Sequence, residues 1–175
     1  MAPAPVVIGV DPGTRHTGYG VVAEVEGQLV ALAWGVISPR PALALPEKLH
    51  TIYTALHTCL VTHRPDILAV EELFFAKNVR SAVTLAHARG IALLAAAVVG
   101  LEVVEYTPLA IKQAVVGYGR AEKRQVQAMV RVLLNLHGQQ PDEDAADALA
   151  VALCHVHGWR LRSALNGPKT ERSRA

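Results

Sequence analysis

Cysteine is scarce in this chain, and its scarcity excludes several kinds of site. The 175 residues include only two cysteines, Cys59 and Cys154, and both lie within apolar runs typical of helices. No Cys-x-x-Cys pair is present, so the sequence supports neither a zinc site nor a thiol redox centre. We therefore expect two buried free thiols in a protein of the reducing cytoplasm.

Signals for secretion and for membrane insertion are also missing. The opening residues 1–5 lack the charged segment followed by an apolar segment that marks a signal peptide. The apolar run from Ile91 to Val99 is too short to span a bilayer. We expect a soluble cytoplasmic protein that has no membrane partner.

Charged residues are few, at 18% of the chain, and the formal net charge of +2 does not by itself indicate a nucleic-acid partner. The distribution of charge says more, because residues 76–135 contain eight lysines and arginines against three glutamates. The eight are Lys77, Arg80, Arg89, Lys112, Arg120, Lys123, Arg124 and Arg131. A basic segment of this kind suits a polyanionic substrate, although any one of these side chains has the alternative role of solvating a helix face.

The hydrophobic pattern predicts one compact α/β domain. Hydrophobic residues make up 51% of the chain, enough for a substantial core. Short apolar or alternating runs predict strands at 6–10, 18–25, 28–37, 67–71 and 102–106. Glu26 and Gly27 form a predicted hairpin between the second and third strands. Residues 1–158 are the predicted domain, and the basic segment 159–175 is expected to be a disordered tail.

Five helices are predicted between and after these strands. They span 47–63, 81–99, 108–116, 122–136 and 144–157. The helix at 81–99 is apolar almost all round, and a helix of that kind must be buried on every side. Because contact with the sheet would cover only one of its faces, a second subunit could cover the other. The sequence therefore favours a homodimer.

Four acidic residues stand where predicted strands end or a helix begins. Asp11 follows the first strand, Glu71 ends the fourth, and two more, Asp144 and Asp147, open the last helix. Strand ends at one edge of a sheet are where α/β folds bind ligands, and helix residues three apart share a face. Carboxylates gathered in this way repel one another unless a hard cation lies between them. The pattern therefore indicates a divalent metal site.

Each acid taken singly has an ordinary structural alternative. Asp11 could begin a type I turn, Asp144 could cap a helix, and Asp147 could compensate a helix dipole. Three neighbouring acids are expected to face elsewhere and not to bind metal, namely Glu72, Asp142 and Glu143. The four candidates together are a stronger signal than any one of them.

Five ordered segments carry a resemblance to a known family. They are 8–20 (IGVDPGTRHTGYG), 70–78 (VEELFFAKN), 112–117 (KQAVVG), 121–123 (AEK) and 144–150 (DAADALA). Together they resemble the RuvC-type Holliday junction resolvases of the ribonuclease H-like superfamily, over residues 5–158. The resemblance implies an α/β, ribonuclease H-like fold. In it a central mixed five-stranded sheet, with three antiparallel strands first and then two parallel additions, is flanked by helices on both faces.

The resemblance implies a chemistry as well. In that family four carboxylates bind divalent metal, and by position they are Asp11, Glu71, Asp144 and Asp147. Two Mg²⁺ or Mn²⁺ ions about 4 Å apart would orient a water and stabilise the leaving 3′ oxygen. The implied enzyme is a homodimeric crossover junction endodeoxyribonuclease of recombination and repair. It nicks four-way junction DNA symmetrically, leaves 5′-phosphate and 3′-hydroxyl ends, and works beside the RuvA and RuvB branch-migration proteins.

Further residues are candidates for substrate contact. Phe74 could stack on a base unpaired at the crossover, and its alternative is a place in the core. Lys112 and Lys123 match basic residues near the active site of the family, and could hold the scissile phosphate or offset charge in the transition state. The weaker candidates are Lys77 and Asn78, which could position the Phe74 loop, and Arg80, Arg120 and Arg124, which could contact phosphates of the junction arms.

Three other functions agree with parts of the sequence. Asp11, Gly13 and Thr14 resemble the first phosphate loop of the actin and sugar-kinase ATPases, but 175 residues leave no room for the second domain of those enzymes. A non-catalytic binder of branched DNA would have no use for four clustered acids, because they repel phosphate. A related nuclease acting on RNA–DNA hybrids would need neither the Phe74 loop nor the apolar helix at 81–99.

Overall fold

In the described part of the chain, a mixed sheet of five strands forms the centre of the protein. The structure is a computed structural model that describes residues 4–72 and 79–165, apart from the side chains of residues 79 and 80. The strands are β1 Val7–Asp11, β2 Thr17–Val25, β3 Gln28–Ile37, β4 Ile67–Glu71 and β5 Glu102–Tyr106, in the order β3-β2-β1-β4-β5. The first three are antiparallel neighbours, whereas β4 and β5 run parallel to β1. The predicted fold class is confirmed.

The described residues form five helices, which cover both faces of the sheet. They are α1 Leu45–His63, α2 Val79–Val98, α3 Pro108–Val116, α4 Lys123–Leu133 and α5 Glu143–Leu165. On one face α1 and α2 share an apolar core with Ile8 and Val70. On the other face α3, α4 and α5 share a second core with Val7 and Ala69. Because successive residues of a strand face opposite sides, β1 and β4 contribute alternate residues to the two cores.

Glycines allow α5 to lie directly on the sheet. A Cβ atom added at Gly9 would collide with the α5 backbone at Ala148, and one added at Gly18 would collide with the carbonyl group of Asp144. Glycine inside a strand often marks such a close backbone approach. The first turns of α5 are thereby held against β1 and β2.

The last helix, α5, is longer than the sequence predicts. It ends at Leu165, so residues 159–165, which the sequence assigns to a disordered tail, are helical. The extension is held by Arg160, whose Nε donates to Oε2 of Glu24 at 3.0 Å and whose Nη2 donates to the carbonyl oxygen of Gly27 at 3.1 Å. These contacts join the helix to the β2–β3 hairpin. Because the partners are more than 130 residues apart in sequence, no local pattern predicts the contacts. Residues 166–175 lie outside the described residues.

One side of α2 is apolar and exposed. Among the described residues, its segment Ser81–Val98 is the one helix long and apolar enough to cross a membrane by length and composition, with a mean hydropathy of 1.5 and 28% of it buried. Core helices of soluble proteins meet the same criterion. Ala92 packs in the core, whereas Val83 and Leu94 are 50% and 51% exposed. Within one chain the helix is therefore covered on one side only.

Candidate active site

Two of the four acidic residues are brought side by side by β1 and β4. These strands are parallel neighbours in which Val10 pairs with Val70, so the next residues, Asp11 and Glu71, lie together where the strands end. Ala69 belongs to the core on the α5 face, and Glu71, two residues further, faces the same side. The same alternation directs Asp11 towards α5.

The first turns of α5 supply the other two acids. The helix begins at Glu143, so Asp144 lies just inside it and Asp147 lies one turn further. Both side chains belong to half-buried residues, and the backbone of Asp144 touches Gly18 of β2. The positive end of the helix dipole favours carboxylates at this position. Three separate elements, β1, β4 and α5, thus direct acids to one edge of the sheet.

The pKa values of Asp11 and Glu71 are raised by burial and by neighbouring carboxylates. Burial raises the pKa of Asp11 to about 7, and negative charges around it add to the effect. Those charges belong to Asp147, Asp144 and Glu71. Burial and then the charge of Asp147 likewise raise the pKa of Glu71. The three acids that act on Asp11 thus lie within the range at which charges influence one another.

Two lysines compensate part of this negative charge. Nζ of Lys123 lies 2.7 Å from Oδ2 of Asp147 and 2.7 Å from Oε1 of Glu143. Burial acts to lower the pKa of Lys123, but hydrogen bonds and charges of these two carboxylates outweigh it and hold the pKa above its ordinary value. Lys112 acts to lower the pKa of Glu71, against the larger effect of burial. Glu143, which was expected to face elsewhere, therefore shares a cation with Asp147.

The donor set suits a hard divalent cation. Carboxylate oxygens are the ligands that Mg²⁺ and Mn²⁺ prefer, and a cation would relieve the repulsion that raises the pKa of Asp11. In the conformation described, no group of three His, Cys, Asp or Glu side chains from residues 4–72 and 79–165 is arranged to enclose an ion. Asp147 forms its ion pair with Lys123, so the cation paired with this carboxylate in the structure is an ammonium group.

The six predicted catalytic side chains line two cavities. One, of about 290 Å³, is lined by Glu71, Asp147, Lys112 and Lys123 together with apolar residues of α3, α4 and α5. The other, of about 550 Å³, is lined by Asp11, Asp144, the loop 12–16 and the start of α2. Each of the four acids thus lines a cavity, and the two lysines line the first one.

The predicted DNA-contacting residues are only partly described. Phe74, Lys77 and Asn78 lie outside the described residues, as does the side chain of Arg80. Arg120 and Arg124 are exposed, and Arg124 lines a further cavity with Lys123. Of the predicted basic residues, the structure therefore brings Lys112 and Lys123 to the acids.

Two contacts at the site were not predicted from the sequence. Arg89, counted above only among eight basic residues, is buried and donates a hydrogen bond to the main-chain carbonyl of Glu71. An arginine in the middle of a helix rich in apolar residues is a signal for such a contact, because arginine is rarely buried without partners. The contact of Gly18 with Asp144 has a signal too, since glycine in a strand often marks a close approach.

Comparisons of the sequence identify relatives of known family. The family model described as crossover junction endodeoxyribonuclease RuvC matches residues 7–155. The crossover junction endodeoxyribonuclease RuvC of Syntrophomonas wolfei is 47% identical over 165 residues, which are 94% of this chain and 96% of that protein. The protein of the same name from Heliobacterium modesticaldum is 54% identical over 153 residues, 87% of this chain and 94% of that protein.

Comparison of the structure gives the same result. The Thermus thermophilus RuvC structure in complex with Holliday junction substrate has a TM-score of 0.84 to this chain at 37% identity, covering 91% of this chain and 97% of that one. The match thus extends over the sheet and the helices that position the acids. By sequence and by fold, the chain belongs to the RuvC family of crossover junction endodeoxyribonucleases.

Proposed function

We propose that this protein resolves four-way DNA junctions by divalent-metal-dependent hydrolysis of phosphodiester bonds, in homologous recombination and DNA repair. One observation carries the proposal: β1, β4 and α5 bring carboxylates to one edge of the sheet, where their charges add to the effect of burial in raising the pKa of Asp11. Family membership supports the reaction, and the likeness to a RuvC bound to a Holliday junction supports the substrate.

The four carboxylates are the proposed metal ligands. Asp11, Glu71, Asp144 and Asp147 would hold Mg²⁺ or Mn²⁺, two ions per site. When bound, such ions supply Lewis-acid activation of water and of the scissile phosphate. The expected products carry 5′-phosphate and 3′-hydroxyl ends.

Lys112 and Lys123 are proposed to act on the substrate phosphate. The ammonium group of Lys123 lies beside Asp147 and Glu143, in the cavity that Lys123 shares with Lys112. Two positive groups there would bind the scissile phosphate and offset the charge that develops on it in the transition state.

A homodimer is the proposed form of the enzyme. The exposed residues Val83, Gly90, Leu94 and Val98 follow one another at helical spacing along α2, and we call them the α2 stripe. Contiguous apolar surface on a soluble protein usually marks an interaction site. A second copy of the chain would bury the stripe. Two-fold pairing would give two symmetric active sites, matching two opposing strands of a four-way junction.

The remaining assignments rest on the resemblance in the sequence. The nuclease domain would comprise residues 1–158 together with the helical residues 159–165, and the enzyme would act in the cytoplasm beside the RuvA and RuvB branch-migration proteins. The proposed DNA contacts are Phe74 by base stacking, Lys77 and Asn78 by positioning its loop, and Arg80, Arg120 and Arg124 on phosphates.

A cleavage assay with a synthetic four-way junction tests the function. We expect paired nicks in opposing strands with Mg²⁺ or Mn²⁺ and none in EDTA. Asp144→Asn should reduce the cleavage rate by about 10³-fold or more, because a metal ligand that acts as part of a unit is lost. Binding of the junction by this variant in EDTA should persist.

Asp142→Asn is the matched control, because Asp142 is exposed and lies outside the four candidates. It should cut at the wild-type rate. Unchanged cutting by Asp144→Asn, or cutting in EDTA, would contradict the proposal. Preference for an RNA–DNA hybrid over the junction would favour the related nuclease instead.

A further inference from the structure

The buried cation on α2 is Arg89. Its side chain is only 7% exposed, and a guanidinium group buried to that extent needs partners. Nη1 donates a hydrogen bond to the main-chain carbonyl oxygen of Glu71 at 2.5 Å. Nη2 lies 2.7 Å from Oε1 of Glu105 on β5, whose side chain is 48% exposed. One side chain therefore joins α2 to the ends of β4 and β5.

The main-chain carbonyl group of Glu71 needs this donor because the hydrogen-bonded pairing of β4 with β1 ends before Glu71. The register of β1 and β4 ends with Val10 and Val70, just before Glu71. A buried carbonyl group left without a donor costs about 1–3 kcal/mol. Arg89 supplies the donor where the neighbouring strand no longer does.

The approach of Arg89 is from the side of the sheet opposite to α5. It lies on α2, which shares its core with Val70, whereas the side chain of Glu71 faces the cavity that contains Asp147. The hydrogen bond is made to the main chain of Glu71 and does not engage the carboxylate. Such a contact orients a metal ligand without competing for its oxygens.

We propose that Arg89 is a positioning residue for Glu71, fixing the end of β4 so that the Glu71 carboxylate meets Asp11 and Asp147 around a divalent cation. The inference rests on the metal site of the proposed function and extends it to a residue outside the cavities described. Because the other side of α2 carries the α2 stripe, Arg89 also links the proposed dimer helix to a metal ligand.

Binding of Mn²⁺ in the absence of DNA tests this inference. Arg89→Met removes both polar contacts and keeps a long apolar side chain. Isothermal titration calorimetry should show a decrease in Mn²⁺ affinity of about 10- to 100-fold, the usual effect of losing a contact behind a metal ligand. Junction affinity in EDTA should stay within about twofold of wild type, because phosphate contacts elsewhere carry it.

The matched control is Arg160→Met. Arg160 also donates to one carboxylate and one main-chain carbonyl group, those of Glu24 and Gly27, away from the acids. Its loss should lower the thermal midpoint of unfolding and leave Mn²⁺ affinity unchanged. If Arg89 had a purely structural role, Arg89→Met would likewise lower the thermal midpoint and leave Mn²⁺ affinity unchanged. Wild-type Mn²⁺ affinity in folded Arg89→Met would therefore overturn the proposal.

Arg89→Lys decides the matter if Arg89→Met does not fold. Lysine keeps a positive charge for Glu105 but lacks the planar fork that reaches both acceptors, so weaker Mn²⁺ binding is again expected. Wild-type affinity in this variant, or failure of both variants to fold, would overturn the proposal in favour of a purely structural role. Absence of Mn²⁺ binding by the wild-type protein is a distinct result and would instead contradict the proposed function.

Discussion

At the scale of single residues, Asp11 is the most strongly perturbed of the four candidate acids. Its carboxyl group is partly buried among three other acids, and its pKa is raised to about 7. The sequence could indicate the four acids, because each stands at a recognisable strand end or helix start. It could not indicate that Asp11 is so strongly perturbed, because that depends on distances between groups remote in sequence.

Replacing Asp11 with asparagine should stabilise the metal-free protein. The pKa of Asp11 is raised from 3.8 to about 7 on folding, so the folded protein keeps a proton that the unfolded chain releases. The cost of ionising Asp11 is therefore absent below about pH 4, grows with rising pH, and is complete above about pH 7. Asp11→Asn should thus stabilise the fold in EDTA by on the order of a few kcal/mol at about pH 8, and by little at about pH 4.

Thermal unfolding followed by circular dichroism measures this difference. Asp142→Asn is the control for the loss of one negative charge, since Asp142 is exposed. An equal gain for Asp11→Asn at both pH values would show that ionisation of Asp11 is not its cause.

At the scale of elements, α5 assembles the active site. Its first turns carry Asp144 and Asp147, and its backbone touches β1 and β2 where Gly9 and Gly18 leave room. The sequence predicts the start of this helix within one residue, because acids cluster there after Pro141. It does not predict the end at Leu165, because the contacts that hold the last turns are made with a distant hairpin.

Substitution of Gly18 by alanine should displace the first turn of α5. The added Cβ atom would collide with the carbonyl oxygen of Asp144, so the helix or the strand must move. Forcing extra volume into a packed contact costs about 1–3 kcal/mol. We expect a lower thermal midpoint and weaker Mn²⁺ binding by Gly18→Ala, both measurable by calorimetry.

Gly158, which lies within α5, provides the comparison for Gly18→Ala. A Cβ atom added at Gly158 would meet the end of the flexible Arg162 side chain at 3.2 Å, which can move aside. Alanine within a helix is also favoured over glycine by about 1 kcal/mol. Gly158→Ala should therefore be at least as stable as wild type. Wild-type Mn²⁺ binding by Gly18→Ala would show that this glycine does not position the acids.

At the scale of the whole molecule, the apolar side of α2 is exposed in the single chain and would be buried in the proposed dimeric enzyme. Leu94 and Val98 are 51% and 56% exposed in one chain, although the helix is rich in apolar residues. The sequence predicts that α2 is buried on every side, whereas within one chain only one side of this helix is buried. In the proposed homodimer a second copy of the chain would cover the remainder, and two-fold symmetry would match two opposing strands of one junction.

Leu94→Glu should convert the proposed dimer into a monomer. Glutamate at this position meets water in the single chain but would be buried against apolar residues in the dimer, where an unpaired charge is costly. Analytical ultracentrifugation at micromolar concentration measures the change, and the junction assay should then show loss of paired nicks.

The same change on α4 provides the control for this variant. Val132 is 68% exposed and lies outside the α2 stripe, so Val132→Glu should leave the mass in solution unchanged. A wild-type protein that sediments as a monomer while cutting both opposing strands would contradict the proposed dimer.

The sequence by itself determined most of the elements, the acids worth testing and, through motifs that resemble a family, the mixed sheet. These follow from patterns that lie within short segments: apolar periodicity, glycine and proline at element ends, and acids at the ends of strands. Five such segments in order were enough to indicate the family that the comparisons then showed.

Only the tertiary structure decided which side chains meet. It placed Arg89 behind Glu71, Lys123 between Asp147 and Glu143, and the end of α5 against the β2–β3 hairpin. Each contact joins residues of different elements, and most of them lie far apart in the chain. Which of them meet depends on the face of the sheet that each helix covers and on how closely it packs, and no single segment of sequence contains that information.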